Sequence, residues 1–284
     1  MTDSVSAIVT THLRPALLEE SLASVLEQRR RPEEVLVVDD ADDLETREVV
    51  ERHCDVPDVD LRYICNDAGP GPCTSRNLGA KLAGGQWLAF LDDDDVWNRD
   101  HLGHCTAVAE GVDVVIGGAF VPGPDGDPVV RPVSEGLTAT TVFDHRGGMT
   151  GSNLVVRRDV FLATGGFDPQ LPVFNDWDLF YRFVAHGTPY RFVDLPLVEW
   201  RTHPGERIAT PSPKRAEGLE TFLVRYGHAM PAEARRHIQV MALGIRRRHA
   251  TTTGARLALS LRLLRAHGPA GAARRMRLKL GGAA

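Results

Sequence analysis

Short runs of β-branched and aliphatic residues alternate with stretches of helical periodicity along the first part of the chain. The strand-like runs are Val5 to Val9, Glu34 to Val38, Leu61 to Cys65, Gln86 to Leu91 and Asp113 to Ile116. Between them lie Pro15 to Gln28, Leu44 to His53, Thr74 to Ala83 and Arg99 to Ala109, each patterned for a helix and joined by a short connection. This β-α-β-α-β-α-β order predicts an α/β fold in which right-handed crossovers join parallel strands and helices cover both faces of the sheet. After Gly117 the rhythm changes. Pro122 to Pro132 holds four prolines, two glycines and two aspartates and reads as a turn-rich excursion. A strand near Asn153 to Val156 follows, then a helix from Arg158 stopped by Gly165-Gly166. A second helix runs from about Asp176 to Ala185, and strands are expected at Tyr190 to Val193 and Leu197 to Trp200. From Ser212 onward the pattern is helical, with Leu257, Leu261 and Leu264 recurring among arginines.

Composition changes this picture in two respects. With 284 residues, 43% of them hydrophobic and 25% charged, the chain can bury the core of one large domain with a small appendage. The net charge of -5 conceals an asymmetry: residues 214–284 hold 15 Lys/Arg against 3 Asp/Glu, or +12, whereas the remainder holds 18 against 35, or -17. An acidic front fits cation binding and argues against nucleic acid as a partner. The basic segment, Leu257 to Leu280 above all, is suited either to lie flat on anionic lipid as a peripheral contact or to pack on the domain. The opening residues carry no basic-then-apolar leader pattern, and no uncharged apolar run approaches the roughly 18 residues of a membrane span. Cys54, Cys65, Cys73 and Cys105 show no metal-ligand spacing and read as reduced thiols, so a cytoplasmic chain is expected, with the inner membrane face as its peripheral station.

The chemistry concentrates at strand ends. Asp92-Asp93-Asp94-Asp95 directly follows the apolar run Trp87-Leu88-Ala89-Phe90-Leu91, where open α/β sheets bind their ligands. In extended backbone Asp92 and Asp94 point one way and Asp93 and Asp95 the other. Such crowding repels unless a cation or donors compensate, and a hard divalent ion meets that need while also binding diphosphate oxygens. Capping of the helix near Arg99 is the competing role for Asp95. Asp39-Asp40 ends the second strand on the same edge, with Asp42 and Asp43 placed to cap the next helix. The first strand ends in Thr10-Thr11-His12-Leu13-Arg14, and Gly69-Pro70-Gly71-Pro72 leads into a helix carrying Arg76. No G-x-G-x-x-G follows the first strand and no Walker lysine motif is present, which removes dinucleotide and P-loop readings.

Taken together and in order, these segments resemble the family-2 glycosyltransferases of the GT-A fold over about residues 4–205. The resemblance rests on Ala7-Ile8-Val9-Thr10-Thr11, Val37-Val38-Asp39-Asp40, Arg76-Asn77-Leu78-Gly79 and Phe90-Leu91 with the four aspartates and Trp97. Further along it rests on Gly165-Gly166-Phe167-Asp168, Asp176-Trp177-Asp178-Leu179 and Arg201-Thr202-His203-Pro204-Gly205. It implies a Rossmann-like, mostly parallel central sheet with helices on both faces, and an inverting transfer of sugar from a nucleotide diphosphate sugar of UDP, dTDP or GDP type to an acceptor hydroxyl. It further implies that Thr10, His12, Asp39 and Arg76 surround the nucleoside and that Asp92 or Asp93 touches ribose. Asp94 and His203 would hold Mn²⁺ or Mg²⁺, and Asp176 would act as the catalytic base. Many relatives carry Glu at Asn175, Pro at Thr10 and Tyr-Asn at His12-Leu13. The expected organisation is a GT-A domain over 1–205, divided into a nucleotide-binding half (about 1–117) and an acceptor-side half (about 118–205), and a basic helical region over 206–284. A polyprenyl-phosphate glycosyltransferase and a non-catalytic nucleotide- or carbohydrate-binding module are the alternatives.

Overall fold

The computed structural model describes residues 4–123, 127–144, 148–201 and 210–280, with side chains in the last helix as far as residue 267. By contact the chain divides into two units: Met1–Pro169 with Asn175–Pro204, and Gln170–Phe174 with Gly205–Ala284.

In the first unit, β1 (Val5–Thr11), β2 (Glu34–Asp39), β3 (Asp60–Cys65) and β4 (Trp87–Asp92) are joined by α1 (Pro15–Leu26), α2 (Leu44–Arg52) and α3 (Pro72–Leu82). The strands pair in the order β3-β2-β1-β4, all parallel. Every residue of β1 is buried, as expected for a strand with helices on both faces. Val5, Ala7 and Val9 join Leu18, Leu22 and Val25 of α1 in the core on one side. On the other side Ile8 and Val38 meet α3 at Gly79, where an added Cβ would lie 2.6 Å from Ile8 Cγ2 and 3.2 Å from Val38 Cγ2. The glycine of Arg76-Asn77-Leu78-Gly79 is therefore a packing requirement.

Beyond β4 the sheet becomes mixed. It continues through β8 (Leu154–Arg157), β6 (Val114–Pro122), β9 (Tyr190–Glu199) and β5 (Val96–Trp97). β8 is antiparallel to both β4 and β6, whereas β6 and β9 are parallel. Three expectations are revised here. The stretch around Pro122 to Pro132 is not only a turn: β7 (Pro128–Arg131) pairs antiparallel with β6 as a hairpin, its one proline, Pro128, tolerated because it opens a strand that lies off the main strand path. The two strands expected between Tyr190 and Trp200 are one strand, whose pairing with β6 shifts register between Gly117 and Ala119. The helix expected from Arg99 is α4 (His101–Ala107), preceded by β5, which is too short to show periodicity and exists only because it pairs with β9.

The remaining helices of this unit are α5 (Arg158–Ala163) and α6 (Asn175–Ala185). Phe161 of α5 packs with Phe90 of β4 and with Phe167, ring centroids lying 5.1 to 5.7 Å apart. The second unit contains α7 (Pro213–Tyr226), α8 (Ala232–His249) and α9 (Thr253–Leu280). Ser212 caps α7 by accepting the Arg215 amide at 3.1 Å. Ala216, Leu219, Phe222 and Tyr226 are buried along one face of α7, and Phe222 packs edge-on against Phe174.

Replacing Gly79 by alanine forces α3 away from β1. Gly79→Ala should lower stability by about 1–3 kcal/mol, measured as a reduced urea midpoint with an unchanged slope.

Candidate active site

Strand order places the site. The chain runs outward from β1 to β2 and β3, then returns to lay β4 on the other side of β1, so the carboxyl ends of β1, β2 and β4 border one crevice. The register brings Thr10 beside Asp92 and Thr11 beside Asp39.

The four aspartates at the end of β4 do not follow strand alternation. The Asp95 amide donates to the Asp92 carbonyl at 3.1 Å and closes a turn. In consequence Asp92, Asp94 and Asp95 each offer a carboxylate oxygen within 4.8 Å of the others, while Asp93 is bonded to the end of β1. Asp93 accepts from Thr11 Oγ1 at 2.8 Å, from the His12 amide at 3.3 Å and from Arg14 Nη1 at 2.9 Å. Leu13, with φ +53°, turns the backbone so that Arg14 folds back onto Asp93, and the same guanidinium nitrogen lies 3.7 Å from Asp94. Asp95 does not cap the following helix. It is buried, accepting from Ser152 Oγ at 2.5 Å and from the Arg201 amide at 3.2 Å. Burial, reinforced by the neighbouring Asp94, pushes its carboxyl up to about 8, and burial raises Asp93 to about 6 despite Arg14.

Arg76 is the counter-charge of Asp92. Buried in α3, it donates from Nη2 to both Asp92 oxygens at 2.5 and 2.7 Å and from Nε at 3.2 Å, while its Nη1 is buried without a hydrogen-bond partner among the described residues. Thr10 Oγ1 adds a bond to Asp92 at 3.0 Å. The guanidinium stacks on Phe167 at 4.9 Å and abuts Gly151, where a Cβ would come within 2.7 Å of Nη2. Next to it, the Asn77 amide group pairs with Phe167, donating to its carbonyl at 2.7 Å and accepting its amide at 2.9 Å. That pairing fixes the Gly165-Gly166-Phe167 turn, in which both glycines have positive φ.

Asp176 lies in the first turn of α6, one residue inside its start, and accepts the Trp177 amide at 2.8 Å. Burial raises its carboxyl to about 6, although the Trp177 amide and the Arg76 guanidinium both favour the charged form. Asp178 serves the scaffold. Buried, it pairs with Arg182 at 2.6 Å, and Arg182 in turn donates to the carbonyls of Thr164 and Gly166.

At the tip of β2, Asp39 is fully buried. It accepts the Ala41 amide at 3.0 Å, the Asp43 amide at 2.7 Å and the Tyr63 hydroxyl at 2.8 Å. Asp43 caps α2 through the Thr46 amide, and Asp42 pairs with Arg47, so of these two only Asp43 has the expected cap role. Asp40 ties the β2 tip to the Gly69-Pro70-Gly71 loop, accepting the Gly71 amide at 2.8 Å and Asn66 Nδ2 at 2.9 Å. His12 is exposed, its Nδ1 3.7 Å from Asp40.

The structure therefore gathers Thr10, His12, Asp39, Arg76 and Asp92 to Asp94 around the ends of β1, β2 and β4, and brings Asp176 within electrostatic reach of Arg76 and Asp92. His203 lies outside the described residues. Sequence reasoning missed Ser152, Tyr63 and Asn66. Ser152 joins the site twice, through Asp95 and through the Asp92 amide at 3.2 Å, and its carbonyl accepts Trp97 Nε1 at 2.8 Å. No periodicity marks it; the adjacent Gly151 and Asn153 are the only local signal. The donor set of Asp92, Asp94 and Asp95, all carboxylate oxygens, has the hardness and spacing for a divalent ion, and the suppressed ionisation of Asp95 is what a cation there would relieve.

A model of the family described as glycosyl transferase family 2 matches residues 6–164. The putative colanic acid biosynthesis glycosyl transferase WcaA of Escherichia coli is 26% identical over 77% of this chain and 79% of its own length. The glucosyl-dolichyl phosphate glucuronosyltransferase of Haloferax volcanii is 33% identical over 58% of this chain and 56% of its own. Among solved structures, S. aureus TarS 1-349 in complex with UDP-GlcNAc superposes with a TM-score of 0.60 at 20% identity, covering 88% of this chain and 74% of that 1-349 chain. The mannosyltransferase PcManGT of Pyrobaculum calidifontis, in complex with GDP-Man and Mn²⁺, gives 0.60 at 17% identity over 92% and 79%. With a matching family model over more than half its length and the expected strand-end carboxylates in place, this chain belongs to glycosyltransferase family 2 and has the GT-A fold.

Proposed function

We propose that the chain transfers a sugar from a nucleoside diphosphate sugar to an acceptor hydroxyl with inversion at the anomeric carbon, using a divalent cation at Asp94. The observation that carries this reading is the cluster of Asp92, Asp94 and Asp95 at a strand-order reversal, with Asp92 held by the buried Arg76. Relatives solved with UDP-GlcNAc and with GDP-Man support a nucleotide-sugar donor. In this reading residues 1–117 bind the nucleotide and residues 118–205 shape the acceptor side. Thr10, His12 and Asp39 surround the nucleoside, and Asp92 or Asp93 meets the ribose. Arg76 contributes by holding Asp92 in one orientation. Asp94, together with His203, ligates the cation. When bound, Mn²⁺ or Mg²⁺ supplies positive charge that offsets the negative charge developing on the departing diphosphate. Asp176, titrating near 6, is ionised at neutral pH yet more basic than an ordinary carboxylate. It takes the proton of the acceptor hydroxyl as that oxygen bonds to the anomeric carbon and the bond to the diphosphate breaks on the opposite face. The free thiols of Cys54, Cys65, Cys73 and Cys105 accord with a reducing, cytoplasmic setting.

A second reading, transfer to a polyprenyl phosphate, is favoured by the basic character of residues 214–284, which carry +12 and suit a lipid-phosphate surface. A polyprenyl phosphate acceptor needs little help from a base, since its oxygen is already ionised.

Asp176→Asn should lower transfer to a hydroxyl acceptor by about 10²- to 10⁴-fold while calorimetric binding of nucleotide with Mn²⁺ persists. Retained transfer to a hydroxyl rejects the base, and retained transfer to a polyprenyl phosphate alone selects the second reading. Asp94→Ala should instead weaken Mn²⁺-assisted nucleotide binding by about tenfold or more. A thermal-shift panel of UDP, dTDP, GDP and CDP, each with and without Mn²⁺, identifies the base. Silence with every nucleotide would remove the donor assignment altogether.

The cation also has a pH signature. Asp95 rises from its ordinary 3.8 to about 8, so between these values the folded, metal-free chain holds a proton that the unfolded chain has released. Stability therefore falls as pH rises from about 4 to about 8, and Asp93 and Asp176 add the same trend as far as about 6. Urea midpoints measured in EDTA should decline over this interval, with Asp95→Asn flattening the upper part and Mn²⁺ restoring it.

A further inference from the structure

We propose that the outer face of α9 docks on an anionic lipid bilayer. In α9, Leu263 is 6% exposed, whereas Leu257, Leu261 and Leu264 are 63%, 50% and 55% exposed. Leu259 and Ala266 are partly buried with Leu263, so the helix has a packed side and, turned away from it, an apolar stripe at spacing i, i+4 and i+7 that meets solvent. Three large aliphatic side chains aligned on one exposed face are costly in water, and the positions around them are basic. Arg256, Arg262 and Arg265 flank the stripe and are exposed. The surrounding segment, residues 214–284, carries +12, and the last positions of the helix add Arg274, Arg275, Arg277 and Lys279 in sequence.

The charge decides what covers the stripe. A second copy of the chain would bring the same excess of arginines against itself, and like charges facing one another across an apolar contact oppose association. A bilayer with acidic headgroups supplies the opposite charge and an apolar layer at once. Leucines enter the boundary between headgroups and acyl chains, while the arginines reach the phosphates from either side. Among the described residues no helix is long and apolar enough to cross a membrane. The arginine-laden α9 is thus suited to lie on the surface.

The test uses the full chain in EDTA without donor, so its outcome is independent of any transferase activity. Wild type should cosediment with vesicles of phosphatidylcholine mixed with phosphatidylglycerol and remain in solution with phosphatidylcholine alone, and added salt should release it. The variant Leu257→Gln/Leu261→Gln/Leu264→Gln should bind about tenfold more weakly or worse. The variant Arg256→Gln/Arg262→Gln/Arg265→Gln should lose roughly a hundredfold. All six side chains are exposed, so thermal melts should match wild type. Failure to sediment, equal binding to both vesicles, or full binding by the leucine variant overturns the proposal. Equally adverse is a dimer, seen by light scattering, that the leucine variant abolishes, since it would assign the face to a second copy.

Discussion

Four consecutive carboxylates stand at the end of a buried strand, and the structure depends on giving each a different solution to the same electrostatic problem. Asp92 is met by the Arg76 guanidinium, Asp93 by Arg14 and two donors of the β1 end, and Asp95 by a hydroxyl and a backbone amide. Asp92 and Asp94 keep more side-chain exposure than Asp93, 28% and 17% against 5%, so these two carboxylates are the ones of the run that remain open to solvent. The turn closed by the Asp95 amide converts an alternating strand into a three-carboxylate cluster. Without it the negative charge would divide between two faces of the sheet and offer no common site.

The same turn explains why α3 is so constrained. One guanidinium opposite Asp92 must be desolvated to act strongly, and a buried ion pair is sustained only by good geometry and further contacts. Phe167 beneath the guanidinium, Gly151 beside it and Thr10 on the carboxylate supply them. The residues following Arg76 then lock its helix: Asn77 to the Phe167 backbone and Gly79 into Ile8 and Val38. From the far side, Asp178 and Arg182 fasten α6 to the Gly165-Gly166 turn, which sets where Asp176 stands. Motifs that look independent along the chain are thus links of one network between α3, β4 and α6. A lysine at position 76 would keep the charge but lose the planar fork that engages both Asp92 oxygens.

Charge divides along the chain as well, with an excess of acids ahead of residue 214 and of bases from there on. The first unit concentrates Asp92, Asp94 and Asp95 at the crevice beside the ends of β1 and β4. The basic second unit is helical and bears no comparable cluster among the described residues. The family match, residues 6–164, lies wholly within the first unit.

Much of the fold was written in local patterns. Short runs rich in β-branched and aliphatic residues announced β1 to β4, prolines and aspartates announced helix starts, and paired glycines ended α5, because each of these is decided by backbone sterics and burial within a few residues. The position of acids at strand ends likewise pointed to the crevice, since a parallel sheet with reversed strand order has only one edge at which they meet. The partners of those acids were beyond sequence. Ser152 lies 57 residues from Asp95, and Tyr63 lies 24 from Asp39. Nor could a two-residue strand such as β5 be seen, since its existence rests on pairing with β9. Local sequence decides which backbone conformations are accessible, whereas the ionisation and orientation of a buried carboxylate depend on whatever distant group is folded against it, and that is settled only in three dimensions.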